Sequence, residues 1–172
     1  MIYVGYQGIG KSTLANKDLK YIDLESSNTF IDGKRPERWE AMYVNFAVCL
    51  SKQGYNVFIS SHKVVRNELL NRNIEFVSII PSISLKEQWV QKLENRYNTT
   101  KSEKDFKALA NAKDCFEENI KDIKKDSLLC WEITTMDYDL KNFLEIDFGF
   151  STLVNGQGEW KVYERKMFDL LH

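Results

Sequence analysis

At 172 residues and 20.2 kDa the chain has the size of one domain with a single substantial core. Its 43% hydrophobic and 28% charged residues are a globular composition, which excludes a disordered chain. The formal net charge of −1 excludes a global basic field for nonspecific nucleic-acid binding, and no apolar run approaches the ~18 residues of a membrane span.

The elements alternate between strand and helix through most of the chain, the pattern of an α/β domain with a parallel sheet. Ile2–Tyr6 is short, β-rich and glycine-terminated, which predicts a buried first strand. A helix is expected from Lys11 to about Asp18, and a second strand over Tyr21–Leu24. Pro36 suits the first turn of a longer helix, whose Trp39, Met42, Tyr43, Phe46, Cys49 and Leu50 share a face and which Gly54 ends. Asn56–Ser61 predicts a third strand, Lys63–Arg72 a short helix, and Glu75–Ile80 a fourth strand ended by Pro81. Ser84 and Glu87 have capping-box spacing ahead of Leu85, Trp89, Leu93 and Tyr97 at intervals of four. Ser102 and Asp105 repeat that signal in an Asp-containing form. They open a helix to about Lys125 with Phe106, Leu109, Phe116, Ile120 and Ile123 inward. Leu128–Thr134 predicts a fifth strand and Tyr138–Ile146 a last helix. Beyond Asp147, Phe148–Val154 and Glu159–Arg165 flank a glycine-rich turn, which predicts a hairpin appended to a 1–146 domain. That hairpin, 147–172, is expected to pack on the domain, on a partner or on a second copy of the chain. Cys49, Cys115 and Cys130 form no C-x-x-C pair and are expected as free, mostly buried thiols. With no signal-peptide pattern at Met1–Val4, the expectation is a cytoplasmic protein.

Between the first strand and first helix, Gly5-Tyr6-Gln7-Gly8-Ile9-Gly10-Lys11-Ser12 matches G-x-x-x-x-G-K-[ST] at every required position. Glycine suits such a loop because backbone N–H groups must turn inward toward phosphate oxygens with no Cβ in the way. The helix that follows adds its N-terminal partial charge. Gly8, Ile9, Gly10, Lys11, Ser12 and Thr13 are therefore the candidate nucleotide-binding residues: Lys11 reaches the outer phosphates, and the Ser12 hydroxyl holds Mg²⁺. The dinucleotide fingerprint G-x-G-x-x-G fails here, because Thr13 replaces its third glycine. Asn16-Lys17-Asp18 lacks the spacer of a guanine-specific N-K-x-D motif and lies in the first helix.

Four stretches over about 1–146 resemble the small P-loop kinases, in particular the adenylate and other nucleoside monophosphate kinases and the compact nucleotide kinases encoded by bacteriophages. They are the loop itself, Asp23-Leu24-Glu25-Ser26-Ser27 after the second strand, Phe58–Lys63 at the end of the third, and a segment around 84–100 carrying Lys86, Lys92 and Arg96. The resemblance implies a three-layer P-loop NTPase fold: a five-stranded parallel sheet in the order 2-3-1-4-5, with helices on both faces. It also implies ATP and Mg²⁺ as cosubstrates and a lid around 84–100. The chain departs from motor ATPases and GTPases in that its third strand ends in serines, with no Walker-B aspartate.

The acceptor shows in the residues around it. A monophosphate needs arginines and no base, whereas a hydroxyl benefits from a carboxylate in reach. Five of six arginines, Arg35, Arg38, Arg66, Arg72 and Arg96, lie between positions 35 and 96. Asp23, Glu25, Arg35, Arg38, His62, Arg66 and Lys86 are the candidate substrate-binding residues, Lys11, Asp23 and Arg96 the candidate catalytic ones, and Ser12 the candidate metal ligand. Arg72 reads as a surface charge. The segment 101–126 carries seven lysines against seven acids, interleaved, and reads as a solvated face with no nucleic-acid stripe. The expected activity is an ATP-dependent (deoxy)nucleoside monophosphate kinase with a small-molecule nucleotide acceptor. Transfer to a hydroxyl of a nucleoside or a nucleic-acid 5′ end, with Asp23 as base, is the alternative; an ATP-binding regulatory protein is the third.

Overall fold

A computed structural model describes residues 1–145 and 160–164. Five parallel strands form the sheet: β1 (Ile2–Gly5), β2 (Tyr21–Asp23), β3 (Asn56–Ser60), β4 (Val77–Pro81) and β5 (Leu129–Ile133). Their order is 2-3-1-4-5, as expected, and an antiparallel β6 (Trp160–Glu164) extends the sheet beyond β5. The second arm of the expected hairpin is thus part of the main sheet; its first arm, Phe148–Val154, and its turn lie outside the described residues.

Alternation along the strands assigns two faces. Ile2, Val4, Val57 and Ile59 point to one and pack with Trp39, Tyr43, Val44 and Ala47 of α2 (Trp39–Lys52) and Val65 and Leu69 of α3 (Lys63–Asn71). Tyr3 and Phe58 point to the other. There they meet Leu14 of α1 (Lys11–Ala15), Trp89 and Leu93 of α4 (Lys86–Thr100), and Phe116, Ile120 and Ile123 of α5 (Glu103–Asp126). Leu140 of α6 (Leu140–Glu145) closes that second core.

Helix α2 begins three residues after Pro36. The Pro36 carbonyl accepts from Trp39 N at 3.2 Å, and Arg38 takes a left-handed φ of 55°, which ends the turn before the helix starts. The phase of the helix is then set by Tyr43, whose buried hydroxyl donates to Leu24 O at 2.5 Å and accepts from Ser60 N at 3.0 Å. With Tyr43 inward the core face is Trp39, Tyr43, Val44 and Ala47, while Met42, Phe46 and Cys49 are exposed. Cys130 alone of the three thiols is buried.

The two capping signals fare differently. Ile83–Leu85 forms a 3₁₀ turn that runs into α4, so Ser84 lies inside it and bonds Ser82 Oγ at 3.0 Å without capping. At α5 the Ser102 hydroxyl accepts from Asp105 N at 3.2 Å, a true N-cap. Phe106, expected inward, is 53% exposed, because Asp105 takes the inward position in order to meet Arg96. Phe116 is fully buried against Tyr6.

Truncating Phe116→Ala is therefore expected to cost about 3–5 kcal/mol in a denaturant melt, against less than about 1 kcal/mol for Phe106→Ala. Equal losses would show that both rings are core.

Candidate active site

Parallel strands deliver their C-terminal ends to one edge, where α/β sheets bind ligands. Here that edge carries the loop after β1, Asp23 at the end of β2 and His62 just after β3. The loop is curled tightly. Gly8 and Gly10 have φ of 86° and 97°, and a Cβ on Gly5 would lie 2.7 Å from both Ile9 Cδ1 and Lys11 Cδ. Lys11 folds back over it, donating to Gly5 O at 2.9 Å and Tyr6 O at 3.1 Å. Burial pulls its ammonium below the ordinary lysine value, opposed by the charges of Asp23 and Glu25.

The loop is held from the helical layer above. Trp89 Nε1 donates to Gln7 O at 2.9 Å, and Gln7 Nε2 donates to Ala108 O of α5 at 2.8 Å. Trp89 stacks on Tyr138, and the Lys92 ammonium lies 4.7 and 4.8 Å from their ring centres and donates to Tyr138 Oη at 3.0 Å. On sequence grounds Gln7 is an unspecified position of the loop, Lys92 a residue of the expected lid and Trp89 a core residue; that they hold the loop from above, with Tyr138, was not read.

Ser12 donates to Asp23 Oδ2 at 2.5 Å, while Asp23 Oδ1 is buried without a partner among the described residues. A short bond to one oxygen and an orphan at the other suit a hard divalent cation. Among the described residues no group of three or more His, Cys, Asp or Glu could hold a metal. A cation at Ser12 and Asp23 would therefore complete its shell from phosphate oxygens and water.

A cleft of about 1580 Å³ runs from the loop to the far side of Asp23. Among the described residues ten basic and five acidic ones line it, in a chain whose net charge is −1. It brings together Gly8 through Thr13, Asp23, Glu25, Arg35, His62, Arg66 and Arg96. Arg38 is exposed outside it, and Lys86 lies on another surface, 3.5 Å from Glu117; both therefore leave the site.

The arginines inside are not equivalent. Arg66 is buried and saturated: it donates to Asp122 at 2.5 Å, to Asp126 at 2.8 and 3.0 Å, and to Ser61 O. It ties α3 to α5 and has no fork left for a ligand, which corrects its reading as a substrate-binding residue. Arg96 pairs with Asp105 at 2.8 Å but keeps a buried, unpartnered Nε. Arg35 makes no ion pair among the described residues. Its guanidinium lies 3.9 Å from the Trp39 ring centre and 4.8 Å from that of Phe30, with Nε unpartnered. His62 touches Ser60 Oγ through Nδ1. Desolvation, then Arg35, Arg66 and Lys11, hold its imidazole below the ordinary 6.5, so it is neutral at pH 7.

Lys104 and Lys107, within the segment read as a solvated face, also line the cleft. Lys104 Nζ is 2.5 Å from Glu25 Oε1. Equal charge along a helix hides that its N-terminal end borders the cleft.

No protein-family model matches the chain, and no curated protein matches it either.

Two outcomes follow from this geometry. Arg66→Ala strands Asp126, leaves Asp122 to Lys63 alone and is expected to cost about 3 kcal/mol in a thermal or urea melt, whereas Arg72→Ala, which loses only a surface pair to Glu68, costs under about 1 kcal/mol. Because the folded His62 binds its proton more weakly than the unfolded one, stability is full above pH 6.5 and falls as pH drops below it. His62→Gln should flatten that acid limb; an unchanged limb would exclude His62 as its source.

Proposed function

We propose that the chain is an ATP- and Mg²⁺-dependent phosphotransferase of P-loop type, acting on a (deoxy)nucleoside monophosphate. The carrying observation is a cleft lined, among the described residues, by twice as many basic as acidic ones in a chain of slight net negative charge. Its volume also exceeds the ~300–1,000 Å³ of one small-ligand site, which favours two nucleotides over one. A regulatory protein that only binds ATP needs no such second half.

In this reading the loop amides and Lys11 stabilise charge on the transferred phosphoryl. Mg²⁺, held by Ser12 Oγ and the Asp23 carboxylate, would supply charge neutralisation at the phosphates. Arg96 binds phosphate oxygens from α4. Arg35, uncommitted to a carboxylate and stacked between two rings, binds the acceptor phosphate, with the half-exposed Phe30 beside it as a surface for a base. The bond from the γ-phosphorus to its bridging oxygen breaks as one forms to an acceptor phosphate oxygen, which gives ADP and a (d)NDP. An ionised phosphate needs no base, and in this reading Asp23, bonded to Ser12, serves the donor side.

A hydroxyl acceptor is the second reading, favoured by the neutral His62 in the same cleft. No described helix is long and apolar enough to cross a membrane.

ADP release is expected to rise well above the bare ATPase rate with at least one nucleoside monophosphate or its deoxy form. Lys11→Ala should lower that rate about 10²–10³-fold. If only a nucleoside or a 5′-hydroxyl oligonucleotide raises turnover, the second reading holds; if no acceptor does, both fail.

A further inference from the structure

The basic residues of the cleft sort by what it takes to detach them. Arg66 is buried between two aspartates, and removing it from them would leave charges stranded. Arg96 shares Asp105 with the Thr100 hydroxyl and the α5 cap. Lys104 is different. Its side chain is 58% exposed, it ends a flexible stem, and its one partner in an ion pair among the described residues is Glu25. That pair spans 79 positions of sequence and joins the first turn of α5 to the segment after β2. Exposed pairs of this kind contribute little, so a phosphate oxygen of higher charge can displace the carboxylate. Both partners lie close to the reacting end of the cleft: the Lys11 ammonium feels Glu25 and Lys104 as well as Asp23 and Arg96.

We propose that Lys104 is a two-position cation: it rests on Glu25 while the cleft is empty and transfers to the phosphates of the bound nucleoside triphosphate, releasing Glu25. This rests on the kinase reading above and adds a regulatory step to it. Glu25 lines the same cleft as Arg35 and His62, so its release changes the acceptor side only once the donor is in place. The freed carboxylate accepts hydrogen bonds, as from a sugar hydroxyl or an amino group, and repels a second polyphosphate. Donor binding therefore favours acceptor binding, and by linkage the acceptor strengthens donor binding by the same factor. The sequence conceals the device because Lys104 is one of many lysines on a charge-balanced helix.

The test is a double-mutant cycle read by isothermal titration with adenylyl imidodiphosphate and Mg²⁺, on Lys104→Ala, Glu25→Gln and the double variant. Lys104→Ala is expected to weaken binding about tenfold. Glu25→Gln, which removes the competitor, is expected to tighten it several-fold, and that gain disappears when Lys104 is also absent. Circular dichroism melts identify any variant that fails to fold, and Lys104→Met with Glu25→Ala then completes the cycle. If Glu25→Gln has the same effect with and without Lys104, or weakens binding, the two-position role is overturned while the kinase reading stands. If the wild-type chain binds no triphosphate analogue at millimolar concentration, both are overturned.

Discussion

The Gly5–Ser12 loop is the constraint on which the rest depends. It must turn within a few residues from the buried end of β1 into α1, leaving room for the Lys11 stem to lie against Gly5. No side chain fits at that point, and two left-handed glycines complete the curl. What secures it is not the short helix that follows but the layer above: Trp89 and Gln7 tie the loop to α4 and α5. A Cβ on Gly8 would sit 3.1 Å from both Trp89 Nε1 and Leu93 Cδ2, so the loop and the α4 face were shaped together.

The parts of this molecule legible in sequence are those whose signal is local or periodic. The loop motif needs fixed residue types at fixed offsets, and strand order follows from alternating elements once the resemblance supplies a topology. The phase of α2 was not legible, because Met42 and Phe46 compete equally with Val44 and Ala47 by hydrophobicity. A single buried hydroxyl, that of Tyr43 between Leu24 and Ser60, decides it. The same holds for Asp105, a carboxylate turned inward where Phe106 has the better apolar claim, because Arg96 and Thr100 satisfy it there. Long-range polar pairs of this kind leave no periodic trace.

The site divides along the same line. Lys11, Ser12 and Asp23 were readable from motif and strand position, and they do converge. The arginines were readable only as a cluster. Proximity in sequence placed Arg66 with Arg35, yet α5 approaches from some sixty positions away and takes Arg66 into a structural joint. Charge on a cleft is thus a property of which cations remain uncommitted after the fold has used the others. Counting basic residues along the chain does not measure it.

The sixth strand has a consequence of another kind. In a sheet ordered 2-3-1-4-5, β5 would present its outer row of backbone donors and acceptors to solvent, on a strand reading Leu129-Cys130-Trp131-Glu132-Ile133. An exposed apolar ladder of that length is a template on which another chain can polymerise. By pairing residue for residue from Leu129 to Ile133, β6 satisfies that row and moves the margin of the sheet out to itself, opposite the three-residue β2.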